Sequence, residues 1–241
     1  MSDQEANLDP DVLAHERTAV LDNIASIRDQ MLEAAQDARR SMGDVTLVAV
    51  SKVQPDHRID AALEAGLRVF GENRVQEAQA RWAHRREQHD DLRLHLVGPL
   101  QTNKVKDAVA LFDVVESVDR PKLATKLAEE MAKQGRKLDC YVQVNTGAEE
   151  QKAGVLPGDD LVALHKLCVE ELGLNVVGLM CIPPIDEPAA MHFGLLADWA
   201  KRLDLSNLSM GMSDDFELAI RMGATSIRVG SALFGARTPR S

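Results

Sequence analysis

An α/β fold, a single (β/α)8 TIM barrel with an extra N-terminal helix, is what this sequence predicts, on three observations. Short apolar, β-branched runs alternate with helix-like segments, the pattern of βαβ units in a parallel sheet. About eight such units follow one another, which favours a closed barrel over an open doubly wound sheet. The chain has 241 residues, and no linker, internal repeat or low-complexity tract breaks it, so residues 9–241 read as one domain.

Taken in order, residues 1–8 are expected to form a flexible tail. Asp9-Pro10 then supplies an N-cap with proline at the first helical position. Val20, Ile24, Ile27, Met31 and Ala34 recur at spacings of three and four, one apolar stripe along a long helix within residues 9–42, with Gly43 as its stop. Strands are expected at Thr46–Val50, Arg68–Phe70, Leu94–Val97, Val114–Glu116, Cys140–Val144, Val176–Cys181, Leu208–Met210 and Ser226–Val229. Helices are expected at Asp56–Ala65, Arg74–His84, Thr102–Leu111, Arg120–Gln134, Asp159–Leu172, Ala189–Leu203 and Asp215–Met222.

Composition removes several function classes. Asp and Glu number 38 against 28 Lys and Arg, and a net charge of -10 argues against a phosphate-backbone binder. Aromatics at 3% leave few stacking platforms for single-stranded nucleic acid. No apolar run is long enough to span a membrane, and the polar start MSDQEANLDP does not read as a signal peptide. Cys140, Cys168 and Cys181 are odd in number and lack CxxC spacing, so they read as buried thiols in a reducing, cytoplasmic setting.

A barrel directs attention to the carboxyl ends of its strands and the loops that follow them. In LVAVSK, strand alternation puts Lys52 on the face of Val48 and Val50, while Leu47, Ala49 and Ser51 point the other way. If Val48 and Val50 fill the interior, Lys52 stands above them in the mouth. Desolvation and nearby cations there would enlarge its neutral fraction, the state that attacks a carbonyl. A lysine snorkelling to water from a strand end has the same local sequence.

The last two strands add an anion site. Gly230-Ser231-Ala232 can bring backbone N–H groups close to a phosphate, Ser231 adds a hydroxyl, and Ser213 can add another from the neighbouring loop. Ser213 can equally serve only a helix start that Asp214 and Glu217 are expected to cap, and the carboxylates of Asp214 and Asp215 must turn away from any phosphate. Arg228 shares a strand face with Gly230 and needs an acceptor, either a carboxylate such as Glu72 or an atom of a ligand. An amine, a phosphate cradle and an inward arginine match the aldehyde, phosphate and ring nitrogen of pyridoxal 5′-phosphate (PLP).

The blocks AVSK (Ala49–Lys52), FGENRVQEA (Phe70–Ala78), HLVGPLQTNK (His95–Lys104), GLMCIP (Gly178–Pro183), LSMGMSDDFELAI (Leu208–Ile220) and IRVGSALFGAR (Ile227–Arg237) stand in order along the chain. They resemble the YggS/PROSC family of PLP-binding homeostasis proteins over nearly everything after the first helix. The resemblance implies a fold-type III barrel similar to the N-terminal domain of alanine racemase, with no established turnover. It makes Lys52 the internal aldimine lysine and Arg228 the partner of the pyridine nitrogen. Ser213, Gly230 and Ser231 become phosphate ligands, with the Met212 backbone nearby and Asn73 beside the cofactor. The family often has threonine at the position of Ser231, and aromatics where Leu94 and Leu96 flank His95, a difference expected to affect packing only. His95 itself reads as a satisfied barrel residue.

The expected function is therefore PLP binding through a lysine aldimine, in intracellular PLP homeostasis and carriage, with PLP and apo PLP-dependent enzymes as partners. Nucleic acid and membrane are not expected as partners, and the assembly is expected to be a monomer or a weak dimer. The alternative is a fold-type III enzyme, an amino-acid racemase or D-amino-acid aldolase. It is disfavoured because an arginine only donates to the ring nitrogen and because the sole tyrosine, Tyr141, sits below a strand end with no evident second acid/base.

Overall fold

The structure, a computed structural model, describes residues 9–235. Helix α1 (Pro10–Asp37) starts where proline costs no hydrogen bond, and Asp9 accepts the Asp11 N–H at 2.9 Å. Its stripe of Val20, Ile24, Ile27, Met31 and Ala34 is buried as expected. Cutting Ile24 to alanine there would cost about 2–5 kcal/mol. The helix ends earlier than Gly43 suggested: Arg39 takes the left-handed conformation (φ 55°), and Gly43 lies inside a separate 3-10 turn, Met42–Asp44, closed by a Ser41/Asp44 capping box. The expected tail at residues 1–8 lies outside the described residues.

Eight parallel strands then close on themselves in sequence order: β1 (Thr46–Val50), β2 (Val69–Glu72), β3 (Arg93–Leu96), β4 (Val114–Val118), β5 (Asp139–Val144), β6 (Asn175–Cys181), β7 (Asn207–Ser209) and β8 (Ser226–Val229). The connections carry α2 (Asp56–Glu64), α3 (Val75–Gln88), α4 (Val105–Leu111), α5 (Pro121–Gln134), α6 (Asp159–Lys166), α7 (Ala189–Arg202) and α8 (Phe216–Arg221), and β8 leads into a single turn, α9 (Ser231–Phe234). Two segments differ from simple helices: Thr102–Lys104 is a 3-10 turn ahead of α4, and α6 passes into a π turn at Leu167–Glu171. Strands β2 and β4 run two residues further than their apolar runs, because Glu72 and Val118 still join the ladder.

Alternation sorts the side chains into two compartments. Ala49, Phe70, Leu94, Leu96, Val142, Leu179, Ile227 and Val229 face the helices and join the large apolar layer outside the barrel. Val48, Val50 and Val97 form a separate interior cluster, and Val114, Tyr141 and Met180 form another. Closure comes from β1 pairing with β8, with Val48 opposite Arg228 and Ala49 opposite Val229. Helix α1 packs on α2, α8 and α9, so it covers the β8–β1 seam where α9 alone is too short to do so. The three cysteines are buried reduced thiols, and burial first of all raises their pKa values, to about 12, 11 and 12 for Cys140, Cys168 and Cys181. None of these thiols is set up for nucleophilic chemistry.

Candidate functional site at the barrel mouth

Lys52 sits half-buried in the turn that follows β1, two residues past the interior Val50. That turn is strained and tightly held. Val53, a β-branched residue, has φ 55°, a conformation costing about 1–3 kcal/mol. One arginine clamps both sides of it: Arg81 Nη1 donates to the Ser51 carbonyl (2.9 Å) and Nη2 to the Gln54 carbonyl (3.0 Å). The clamp is fixed in turn by the buried Glu72, whose Oε1 accepts from Arg81 Nη1 (2.9 Å), Ser51 Oγ (2.7 Å) and Trp82 Nε1 (3.0 Å). Three donors on one oxygen hold a carboxylate that burial would otherwise penalise.

Glu72 is thus not the partner of Arg228. It shares a strand face with Phe70, and that face looks out towards Trp82 on α3. Arg228 instead points into the barrel, where Nη1 donates to Ser209 Oγ (2.6 Å) and Nη2 to the Cys181 carbonyl (2.8 Å). The carboxylate nearby is Glu116, 3.9 Å from Nη1 and fully buried. Burial alone would raise its pKa, but the His95 hydrogen bond (2.6 Å), the charges of His95 and Arg228 and the Ser209 hydroxyl (2.6 Å) outweigh it and lower the pKa below the ordinary value. His95 is accordingly engaged with Glu116, as a satisfied interior residue.

The third component lies between the β7–α8 loop and α9. Gly230 N–H (3.4 Å) and Ala232 N–H (3.3 Å) converge on Ser213 Oγ, and Ser231 Oγ hydrogen-bonds to the same atom at 3.1 Å. An anionic oxygen taking the place that Ser213 Oγ holds at this focus would meet the Gly230 and Ala232 N–H groups and the Ser231 hydroxyl, with the displaced Ser213 hydroxyl at its edge. That is a cradle of the kind that takes phosphate. A Cβ on Gly230 would stand 3.3 Å from the Val50 carbonyl oxygen, so glycine lets the cradle lie directly against the strand that carries Lys52. Of the two acidic neighbours, Asp215 is engaged elsewhere. Asp215, rather than Asp214, takes the N-cap position of α8, and its Oδ1 accepts the Met212 N–H at 2.6 Å. That same bond directs the Met212 N–H away from the cradle. Asn73 is half-buried after β2, and a Cβ on Gly98 would come within 2.8 Å of Asn73 Cα, so the two loops touch only because Gly98 has none.

Register therefore sets β1, whose following turn carries Lys52, beside β8, with Val48 opposite Arg228 and Gly230 against Val50, and Ser213 reaches Ser231 from the neighbouring loop. Sequence reasoning missed Arg81, Trp82, Glu116 and Ser209. Parity offered one usable signal, since a carboxylate on the Phe70 face calls for a cation on the next helix.

Fold and site together define a PLP-type barrel: the family model described as alanine racemase, N-terminal domain, matches residues 24–238. A pyridoxal phosphate homeostasis protein of Pseudomonas aeruginosa is 42% identical over 227 residues, spanning 91% of this chain and 96% of that protein. PipY of Synechococcus elongatus, solved with PLP bound, is 36% identical with a TM-score of 0.77, over 90% of this chain and all of PipY. The alanine racemase of Streptomyces coelicolor, at 23% identity and a TM-score of 0.66, covers 93% of this chain and 58% of its own, and shares the fold. The chain belongs to the family of pyridoxal phosphate homeostasis proteins.

Proposed function

We propose that this chain binds PLP at the barrel mouth and acts in PLP homeostasis, holding the cofactor and releasing it. The observation that carries the reading is the β1–β8 register, which sets the Lys52 strand beside the Gly230-Ser231 cradle and places Arg228 beneath both. The residues fit the group, since amine, anion cradle and ring-nitrogen donor lie along one seam. PLP supplies, when bound, an aldehyde that reacts with primary amines.

Each residue then has a defined task. The Lys52 amine retains the cofactor covalently, in a turn that Arg81 keeps from relaxing. Ser213, Gly230 and Ser231 would hold the phosphate by hydroxyl and N–H donation, and Asn73, in the loop after β2, would be a further cofactor contact. Met212 lies at the edge of this cradle with its N–H turned to Asp215. Arg228 stays protonated and can only donate, so the acceptor it faces keeps its lone pair. That setting makes the ring a weaker electron sink, so carbanion chemistry there would also need a second acid/base, and retention is the reading we favour. Tyr141 supports the same reading. It lies among Val114 and Met180 deep in the barrel, and burial, then Glu116 and Asp139, push its pKa up, so it is poorly suited to act as a second base at the mouth.

The homologues are named for homeostasis and not for a reaction. We extend this to a chain without turnover that passes PLP to apo PLP-dependent enzymes, as a monomer or weak dimer in the cytoplasm. The reduced thiols suit such a compartment. Borohydride treatment with PLP followed by peptide mapping tests the assignment, and the label should fall on Lys52. Single-enantiomer amino acids incubated with the PLP-loaded protein should keep their optical activity. Rapid loss that disappears in Lys52→Ala would establish the enzyme reading instead.

A further inference from the structure

We propose that Glu116 and Ser209 are positioning residues for the cofactor site, forming with His95 a buried bridge that fixes the Arg228 guanidinium in the orientation that meets PLP. The inference rests on the reading of the mouth as a PLP site. Its atoms impose a direction on the bridge. Glu116 accepts at both oxygens, from His95 Nδ1 on Oε1 and from Ser209 Oγ on Oε2, each at 2.6 Å. A hydroxyl has one proton, and Ser209 commits it to the carboxylate, so a Ser209 lone pair is left for Arg228 Nη1 at 2.6 Å. The Cys181 carbonyl takes Nη2 at 2.8 Å. Two nitrogens of a planar fork are thereby anchored to β7 and β6, which leaves the guanidinium plane little freedom to rotate.

The bridge is poorly explained as a stability device. It crosses the interior from β3 through β4 and β7 to β8, using four buried polar side chains where other interior positions hold Val48, Val50, Val97 and Met180. Buried ion pairs of this sort are often no more stable than apolar residues of the same volume. What they give here is orientation: Arg228 lies one inward position below Gly230, at the base of the cradle. Glu116 also supplies the negative charge that lets an arginine be buried there at all.

The test compares Ser209→Ala, Ser209→Thr and Glu116→Gln with the wild type in three measurements: Kd for PLP, the position of the visible band of the loaded protein, and arginine side-chain NMR of the PLP-free chain. Ser209→Ala should weaken PLP about tenfold, the equivalent of one hydrogen bond to a charged group, and move the band. In the PLP-free chain it should turn the Arg228 guanidinium signal from restricted to freely rotating. Ser209→Thr, which keeps the hydroxyl, should restore all three, and Glu116→Gln should change them in the direction of Ser209→Ala. A Ser209→Ala protein with lower thermal stability but unchanged Kd, band and NMR signal would overturn the positioning role. If Glu116→Gln does not fold, the Ser209 pair still decides. A wild type that binds no PLP would sink the functional reading, while the NMR comparison would still judge the bridge by itself.

Discussion

At the amino-terminal floor of the barrel, Thr46, Val69, His95, Tyr141, Asn207 and Ser226 line a cavity of 250 Å3. At the opposite, carboxy-terminal mouth, the inward positions narrow to Gly71 and Gly230 before the chain reaches Lys52 and Ser231. Both ends follow the same strand alternation, yet their polar groups behave differently. Charges at the floor are neutralised within the protein, as in the Arg93–Asp139 ion pair, whose carboxylate also accepts from Asn175 Nδ2 at 2.6 Å. Donors at the mouth converge on a single focus at Ser213 Oγ, and the backbone beside it is strained at Val53. Convergent donors, missing Cβ atoms and strain together are the grounds for proposing the mouth, and not the floor, as the ligand end.

The comparison can be broken in several ways, and the largest effect is expected at Lys52. Lys52→Ala should abolish borohydride-stable PLP attachment, read by intact mass, while circular dichroism stays that of the wild type. Arg81→Ala should come next. Removing the cation from the buried Glu72 should cost about 3–5 kcal/mol in denaturant unfolding and loosen the Lys52 turn. Gly230→Val forces side-chain atoms against the Val50 carbonyl. At about 1–3 kcal/mol of overpacking it should weaken PLP by roughly tenfold to a hundredfold in equilibrium dialysis.

A smaller, pH-dependent effect is expected where α1 braces the mouth. Arg58 Nη1 donates to the carbonyl of Phe234 at 2.9 Å, the last residue of α9, and Glu16 of α1 pairs with Arg58. The Arg58 hydrogen bond, opposed by burial and assisted by His57, holds the Glu16 carboxyl at about 2 against an ordinary 4.5. A lowered folded-state pKa stabilises above the unfolded value, so this contribution is complete above about pH 4.5 and lost as pH falls towards 2. Melting temperatures of the wild type should therefore fall more steeply across that window than those of Glu16→Gln. The smallest effect belongs to the floor: Tyr141→Phe should leave Kd for PLP unchanged. A large loss of affinity in that variant would erase the distinction between the two ends.

Much of the barrel was legible because each strand contains a short apolar run bounded by turn signals, although the strands range from three to seven residues. Lys52 and the Gly230-Ser231 turn could be singled out from sequence because parity along one strand depends only on neighbouring residues. Glu72, one example of a carboxylate considered as a partner for Arg228, is excluded by that same rule. Phe70 and Glu72 share a face, and the face that buries Phe70 against Trp82 cannot also face the interior. The end of α1 was misjudged because Arg39, a residue with no turn signature, adopts the left-handed conformation that Gly43 was expected to supply. Nothing local announced the His95–Glu116–Ser209–Arg228 bridge, since its members come from four different strands.

Periodicity by itself determined the element order, the barrel and the one face of the first strand that carries an amine. Hydrophobic alternation is written in neighbouring residues and needs no distant partner. Only the tertiary structure decided which carboxylate serves which arginine, and that the strand of Lys52 lies against the strand of Arg228. Those relations depend on barrel closure and on the register of β1 against β8, which pairs Val48 with Arg228, far apart in the sequence.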